Sequence, residues 1–101
     1  MSRYRMSDGM IVDTDKASKS WTEASYHDGR NRISVCTGSQ WDHQKLYRSK
    51  RGRYYLECWS DWQGSQPSAE WISNEEATRW LLMCYYDLPD DLAAMAEQIT
   101  E

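Results

Sequence analysis

An α+β fold, with an antiparallel β-sheet of three to five strands followed by two C-terminal helices, is what the order of patterns along this 101-residue chain predicts. Three observations carry the prediction. Apolar and polar residues alternate through residues 30–37 and 53–59, the period-2 mark of a strand. Turn chemistry at Asp28-Gly29 and at residues 49–52 joins such stretches to their neighbours as hairpins. From Ser73 onward, capping residues open a run of helical periodicity. At 11.9 kDa the chain is one domain. Six Trp and seven Tyr, with no Phe, separate it from a disordered chain despite a mean hydropathy of −0.92.

Taken in order, residues 1–20 are rich in Ser, Asp and Lys, with Met10, Ile11 and Val12 as their main apolar content, and read as a flexible N-terminal arm. Residues 21–101 read as the single α+β domain. Residues 21–27 and 30–37 flank Asp28-Gly29, a type I′ signal because both turn positions need positive φ. In the second flank Ile33 and Val35 alternate with Ser34 and Cys36, which places Ile33 and Val35 on the buried side, until Gly38-Ser39-Gln40 ends the strand. Residues 45–60 form the clearest hairpin: Ser49-Lys50-Arg51-Gly52 fits a type I turn closed by a left-handed glycine. Tyr54, Leu56 and Cys58 then face the core, and Arg53, Tyr55, Glu57 and Trp59 form a solvated or ligand-facing surface. Residues 61–68, with Gly64 and Pro67, are a loop, and residues 69–73 a short strand. Ser73-Asn74-Glu75-Glu76 is a capping box, followed by an apolar stripe of Ala77, Trp80, Leu81, Cys84 and Tyr85. Leu88-Pro89 breaks the helix. Pro89, Asp90 and Asp91 suit the start of a second one, whose apolar side is Leu92, Met95, Ala96 and Ile99.

The net charge of −4 hides an asymmetry. Residues 1–53 carry eleven Lys/Arg against six Asp/Glu, whereas residues 54–101 carry one Arg against ten acids. Lys45, Arg48, Lys50, Arg51 and Arg53 cluster with no acid among them, and the C-terminal fifteen residues hold acids and no Lys or Arg. Either the two halves neutralise each other in the fold, or the molecule is dipolar and steers toward charged partners. No apolar run approaches the ~20 residues a bilayer needs. The basic N-terminus lacks the apolar stretch of a secretory signal. Three widely spaced cysteines, Cys36, Cys58 and Cys84, fit a reducing compartment, so the expected location is cytoplasmic.

Catalytic and metal chemistry find little support. His27, Cys36, His43, Cys58 and Cys84 have no zinc-ligand spacing, and the cysteines lie in apolar patterns as small hydrophobes do. Asp42-His43 sets a carboxylate beside an imidazole, but neighbours in a strand face opposite ways, and no nucleophile elbow is present. Asp42, Lys45 and Glu57 imitate a nuclease set without its spacing. The Gly38-Ser39-Gln40 and Gly64-Ser65-Gln66 echo is turn chemistry. No catalytic residue, metal or cofactor is expected.

Residues 46–81, LYRSKRGRYYLECWSDWQGSQPSAEWISNEEATRWL, resemble a group of small bacterial proteins that share an LYR…GR-aromatic hairpin, a W-Q-G-S loop and an E-E-A…W-L helix. A Leu-Pro-acidic-acidic-Leu tail, here Leu88 to Leu92, also matches, and the resemblance spans residues 37–92. It implies an accessory protein of bacterial or mobile-element origin and brings no catalytic residue or cofactor with it.

Tyr, Trp and Arg dominate protein-binding hot spots, and protein binding explains the composition as a whole. The expected contact joins Arg48, Lys50, Arg51 and Arg53 at the hairpin tip with Trp41, Tyr47, Tyr55, Trp59 and Trp62 on an aromatic face. The expected function is a non-enzymatic binding protein acting on a protein or nucleoprotein partner. An inhibitor of a host defence complex, in the manner of anti-CRISPR proteins, suits its size and charge. An exposed apolar sheet face also permits a homodimer. The alternative is direct nucleic-acid binding by the basic 45–53 hairpin, with Lys and Arg on phosphates and Tyr47, Tyr55 and Trp59 as stacking platforms. The pI of about 5.1 stands against it.

Overall fold

The computed structural model describes residues 3–27, 29–35, 37–38, 41–61, 64 and 66–98. In chain order the strands are β1 (Arg3–Arg5), β2 (Ile11–Asp13), β3 (Lys19–Thr22), β4 (Ser25–His27), β5 (Arg32–Ser34), β6 (Asp42–Arg48), β7 (Tyr54–Ser60) and β8 (Ser68–Ile72). Helix α1 (Asn74–Met83) follows, then a 3-10 turn at Asp90–Leu92 and a single helical turn, α2 (Met95–Gln98).

The β6–β7 hairpin organises the rest. Its turn is closed as the sequence predicts: the Gly52 N–H donates to the Ser49 carbonyl at 2.9 Å, and Ser49 N–H donates to Arg53 at 2.6 Å. Gly52 sits at φ +90, where an L side chain is strained. Pairing runs from Asp42↔Ser60 to Arg48↔Tyr54. Outer strands add on both sides, β3 against β6 (Trp21↔Leu46) and β8 against β7 (Tyr55↔Trp71), giving the antiparallel order β3-β6-β7-β8. Strand alternation then puts Leu46, Tyr54 and Leu56 on one face and Tyr47, Tyr55 and Trp71 on the other.

Helix α1 covers the first face. Its N-cap is Ser73, whose hydroxyl accepts the Glu76 N–H at 3.1 Å and contacts the Glu76 carboxylate at 3.3 Å, so the predicted capping pair meets. Ala77, Trp80, Leu81 and Cys84 pack with Leu46, Tyr54 and Leu92 into the main core. The Trp80 indole N–H, which would otherwise be an unpaired donor there, donates to the Gln44 side-chain amide oxygen at 3.1 Å.

The opposite face, expected to be solvated or ligand-facing, is covered at its centre, where Tyr47 and Tyr55 are buried. Residues 3–13, within the segment read as an arm, form the β1–β2 hairpin, which lies over this face. Met6, Val12, Tyr47 and Tyr55 make a second core, with Tyr4, Ala17, Ala69 and Trp71 at its margin. The physical reason is in the side chains: Met6 and Val12 supply the apolar cover, and the Tyr4 hydroxyl donates to Glu57 on the sheet. The Tyr47 and Tyr55 rings on this sheet face are therefore covered by the chain itself.

Other elements also differ from expectation. Among the described residues there are eight strands in three antiparallel sheets, and one helix longer than a single turn. The stretch 21–27 splits between sheets: β3 joins the main sheet and β4 pairs only with β5. In β5 it is Ser34, 2% exposed, that is buried, while Ile33 is half-buried. Tyr85 does not continue the apolar stripe of α1. The helix ends at Met83, and Tyr85, 86% exposed, takes the left-handed position (φ 64) of a Schellman closure. There the Tyr86 N–H donates to Leu81 at 2.9 Å and the Tyr85 N–H to Leu82 at 3.2 Å. The predicted second helix is a 3-10 turn plus one turn of α-helix, with Leu92 buried as expected. Cys36, Asp28, Ser39, Gln40 and Ile99, which figure in the sequence reading, lie outside the described residues.

Candidate functional site

Strand geometry divides the expected contact residues between two ends. Strand β6 spans about 20 Å from Asp42 to Arg48, so Trp41 and Trp59 sit at one end of the sheet and the Lys50-Arg51 tip at the other. Tyr47 and Tyr55 lie between them and are buried, 6% and 1% exposed. Their rings stack on each other at 5.2 Å, and Trp71 meets Tyr55 edge-on at 5.8 Å. They belong to the second core and present no face for a partner to stack on. Trp62 lies outside the described residues.

Two of the four expected cations are committed within the chain. Arg48 donates to Asp91 at 3.2 Å and to the Ser18 hydroxyl at 3.3 Å, and Asp91 also accepts the Tyr54 hydroxyl at 2.8 Å. The acidic C-terminal segment is thereby tied to the basic hairpin. Arg53 lies over the Trp71 ring at 3.7 Å and donates to Asp8 at 2.9 Å. Asp8 also accepts the Trp71 indole N–H at 3.0 Å and the Met10 N–H at 3.1 Å. These bonds, the one from Arg53 foremost, hold its carboxyl down at about 2. Asp8 is thus the latch of the N-terminal hairpin. Lys50 and Arg51 remain, exposed and without an ion pair among the described residues.

A cleft adjoins the latch, whose partners Arg53 and Trp71 help to line it. Where the β1–β2 hairpin meets the β6–β7 turn there is a cavity of about 440 Å³. Arg3, Lys16, Lys50, Arg51 and Arg53 surround it, with Asp13 as the one acid, paired to Arg3 at 3.3 Å. Its apolar side is supplied by Met10 and Ile11, 41% and 64% exposed, with Val12 and Trp71. Tyr55 also lines it, and the Tyr55 hydroxyl is buried with no hydrogen-bond partner among the described residues. The neighbouring phenols are all served by carboxylates: Tyr4 and Tyr47 donate to Glu57, and Tyr54 to Asp91. Burial, and then the nearby Tyr47, Glu57 and Asp13, raise the pKa of the Tyr55 phenol well above its usual range, so it stays a donor.

The other end holds a smaller hollow of about 240 Å³ beside His43, Cys58 and Trp59. His43 stands between two carboxylates, Glu23 at 3.2 Å and Asp61 at 2.9 Å, and stacks on Trp59 at 5.7 Å. The Asp61 hydrogen bond outweighs burial and, with Glu23, raises the imidazole above its usual value. Glu23 also accepts the Gln44 backbone N–H at 3.2 Å, so the histidine clamps the β3–β4 connection and the segment after β7 onto β6. Neither Cys58 nor Cys84 is in a disulfide among the described residues, and burial foremost pushes the pKa of the Cys58 thiol up. Among the described residues no three His, Cys, Asp or Glu side chains converge as a metal site. No described helix is long and apolar enough to cross a membrane.

Sequence reasoning reached Lys50, Arg51, Arg53 and Tyr55 but missed Arg3, Met10, Ile11, Lys16 and Trp71. The missing signal was present as Asp8-Gly9, a turn pair preceding the apolar triplet Met10-Ile11-Val12, with Gly9 at φ +87. No family model, curated protein or solved structure matches this chain.

Proposed function

We propose that this chain is a non-enzymatic binding protein that engages a protein or nucleoprotein partner through the cationic end of its sheet. One observation carries the reading: a cleft with five cations and one acid around it also exposes Met10 and Ile11. Exposed apolar side chains framed by cations cost the free protein solvation, and a partner of opposite charge offsets that by covering both. An inhibitor that occupies a surface of a host defence complex, as anti-CRISPR proteins do, is one setting for such a molecule. Direct binding of nucleic acid has weaker aromatic support, because Tyr47 and Tyr55 are buried and Trp59, half-buried and stacked on His43, sits at the other end of the sheet from Lys50 and Arg51.

The test is affinity capture from the native host with the wild-type chain and with Lys50→Glu/Arg51→Glu, each with and without nuclease. The expected result is a protein partner that survives nuclease and is lost on charge reversal. Capture abolished by nuclease, with steep loss between about 50 and 200 mM salt, transfers the function to nucleic acid.

A further inference from the structure

Building on the cationic end as the contact face, we infer that the cleft binds an extended acidic peptide segment alternating carboxylate and apolar side chains, one carboxylate completing the hydrogen bond that the Tyr55 hydroxyl lacks. Three features select this occupant. The cleft is two-sided in chemistry, Met10 and Ile11 on the N-terminal hairpin and Lys50 and Arg51 on the β6–β7 turn. An extended chain turns successive side chains to opposite sides and so satisfies both with an alternating sequence. Next, each neighbouring phenol already donates to a carboxylate, whereas Tyr55 has the donor and no acceptor. A buried phenol prefers an anionic acceptor because the charge strengthens the bond. Last, Asp13 interrupts the cations and opposes a continuous phosphate backbone, while separate carboxylates can straddle it. The Tyr55 hydroxyl is closed to water in the free chain, so the entering carboxylate has to displace the side chains that cover it.

Fluorescence anisotropy with a short labelled peptide alternating Glu and Leu tests this on the full chain. Binding is expected, and it weakens about tenfold when Gln replaces Glu, or Ser replaces Leu, in the peptide. In the protein, Tyr55→Phe, Ile11→Ser and Lys50→Gln/Arg51→Gln each weaken it similarly, while Lys19→Gln, outside the cleft, leaves it unchanged. Circular dichroism and urea unfolding keep loss of fold apart from loss of site. Equal affinity for the Ser-substituted peptide, tighter binding of a single-stranded oligonucleotide, or no peptide binding overturns the inference. If the peptide fails while Lys50→Glu/Arg51→Glu abolishes capture of the native partner, the ligand class is wrong and the cationic-end reading stands. If capture survives that double substitution, the reading itself falls, and the inference with it.

Discussion

Tyr54 and Tyr55 are adjacent, both 1% exposed, and predicted to answer the same substitution with opposite signs. The Tyr55 hydroxyl is buried without a partner, and an orphaned donor costs about 1–3 kcal/mol in lost hydration. Tyr55→Phe removes that cost and keeps the ring stacked on Tyr47 and edge-on to Trp71. Deleting the oxygen forfeits a few atom contacts at ~0.1–0.2 kcal/mol each. The net expectation is a gain of about 1 kcal/mol, or a rise in Tm of roughly 4–8 °C for a domain of this size. Tyr54→Phe instead deletes a 2.8 Å bond to Asp91. Asp91 is 37% exposed at its side chain, so water recovers part of the bond and the loss should be about 1–1.5 kcal/mol. Urea unfolding followed by tryptophan fluorescence, with m-values checked for equality, measures both. A Tyr55→Phe variant less stable than wild type by more than about 0.5 kcal/mol means that the hydroxyl has an acceptor, and the chemical basis for a carboxylate in the cleft disappears.

Three further outcomes follow from the packing. Tyr85→Gly should stabilise the chain by about 0.5–1 kcal/mol, since glycine takes the left-handed position of a Schellman closure without strain and Tyr85 packs little there; a drop in the urea midpoint would falsify that account of the helix end. Leu81→Ala, at a position 0% exposed between α1 and the sheet, should cost about 2–5 kcal/mol, and a smaller loss by urea titration would mean the helix is not seated on the first face. His43 has a folded-state value raised above 6.5, so its contribution to stability is complete below that pH and is lost as pH climbs through the raised value. The stability gap between wild type and His43→Gln should therefore shrink from acidic to mildly alkaline pH, and a gap that widens contradicts the clamp.

Local chemistry was legible and cover was not. The Ser49–Gly52 turn and the Ser73 cap each rest on contacts within four residues, so the sequence displays their cause. Alternation also assigned Tyr54 and Leu56 to the main core correctly. The same alternation assumed that one sheet face meets water, and Tyr55 shows where this breaks: a face covered from a distant segment buries its tyrosines without changing the pattern. The cover comes from two three-residue strands, Arg3–Arg5 and Ile11–Asp13, too short to show a period. Their place is set by Tyr4 on Glu57 and Asp8 on Arg53 and Trp71, contacts 45 to 63 residues apart for Asp8. Propensity carries no trace of such pairings. Tyr85 misled for a related reason, since helical phase runs on past Met83 although the backbone does not. Of the candidate site, Lys50, Arg51 and Arg53 were written in the 45–53 charge cluster, while Arg3, Lys16 and the apolar half lay in the N-terminal segment and β8, whose place only the fold reveals.

The most direct test of the cationic end as the contact face is a photo-activatable residue placed at position 50 in one preparation and at position 41 in another, irradiated in the native host. The account predicts a nuclease-resistant protein adduct from position 50 and none from position 41. An adduct from position 41 alone would put the contact at the tryptophan end and contradict it.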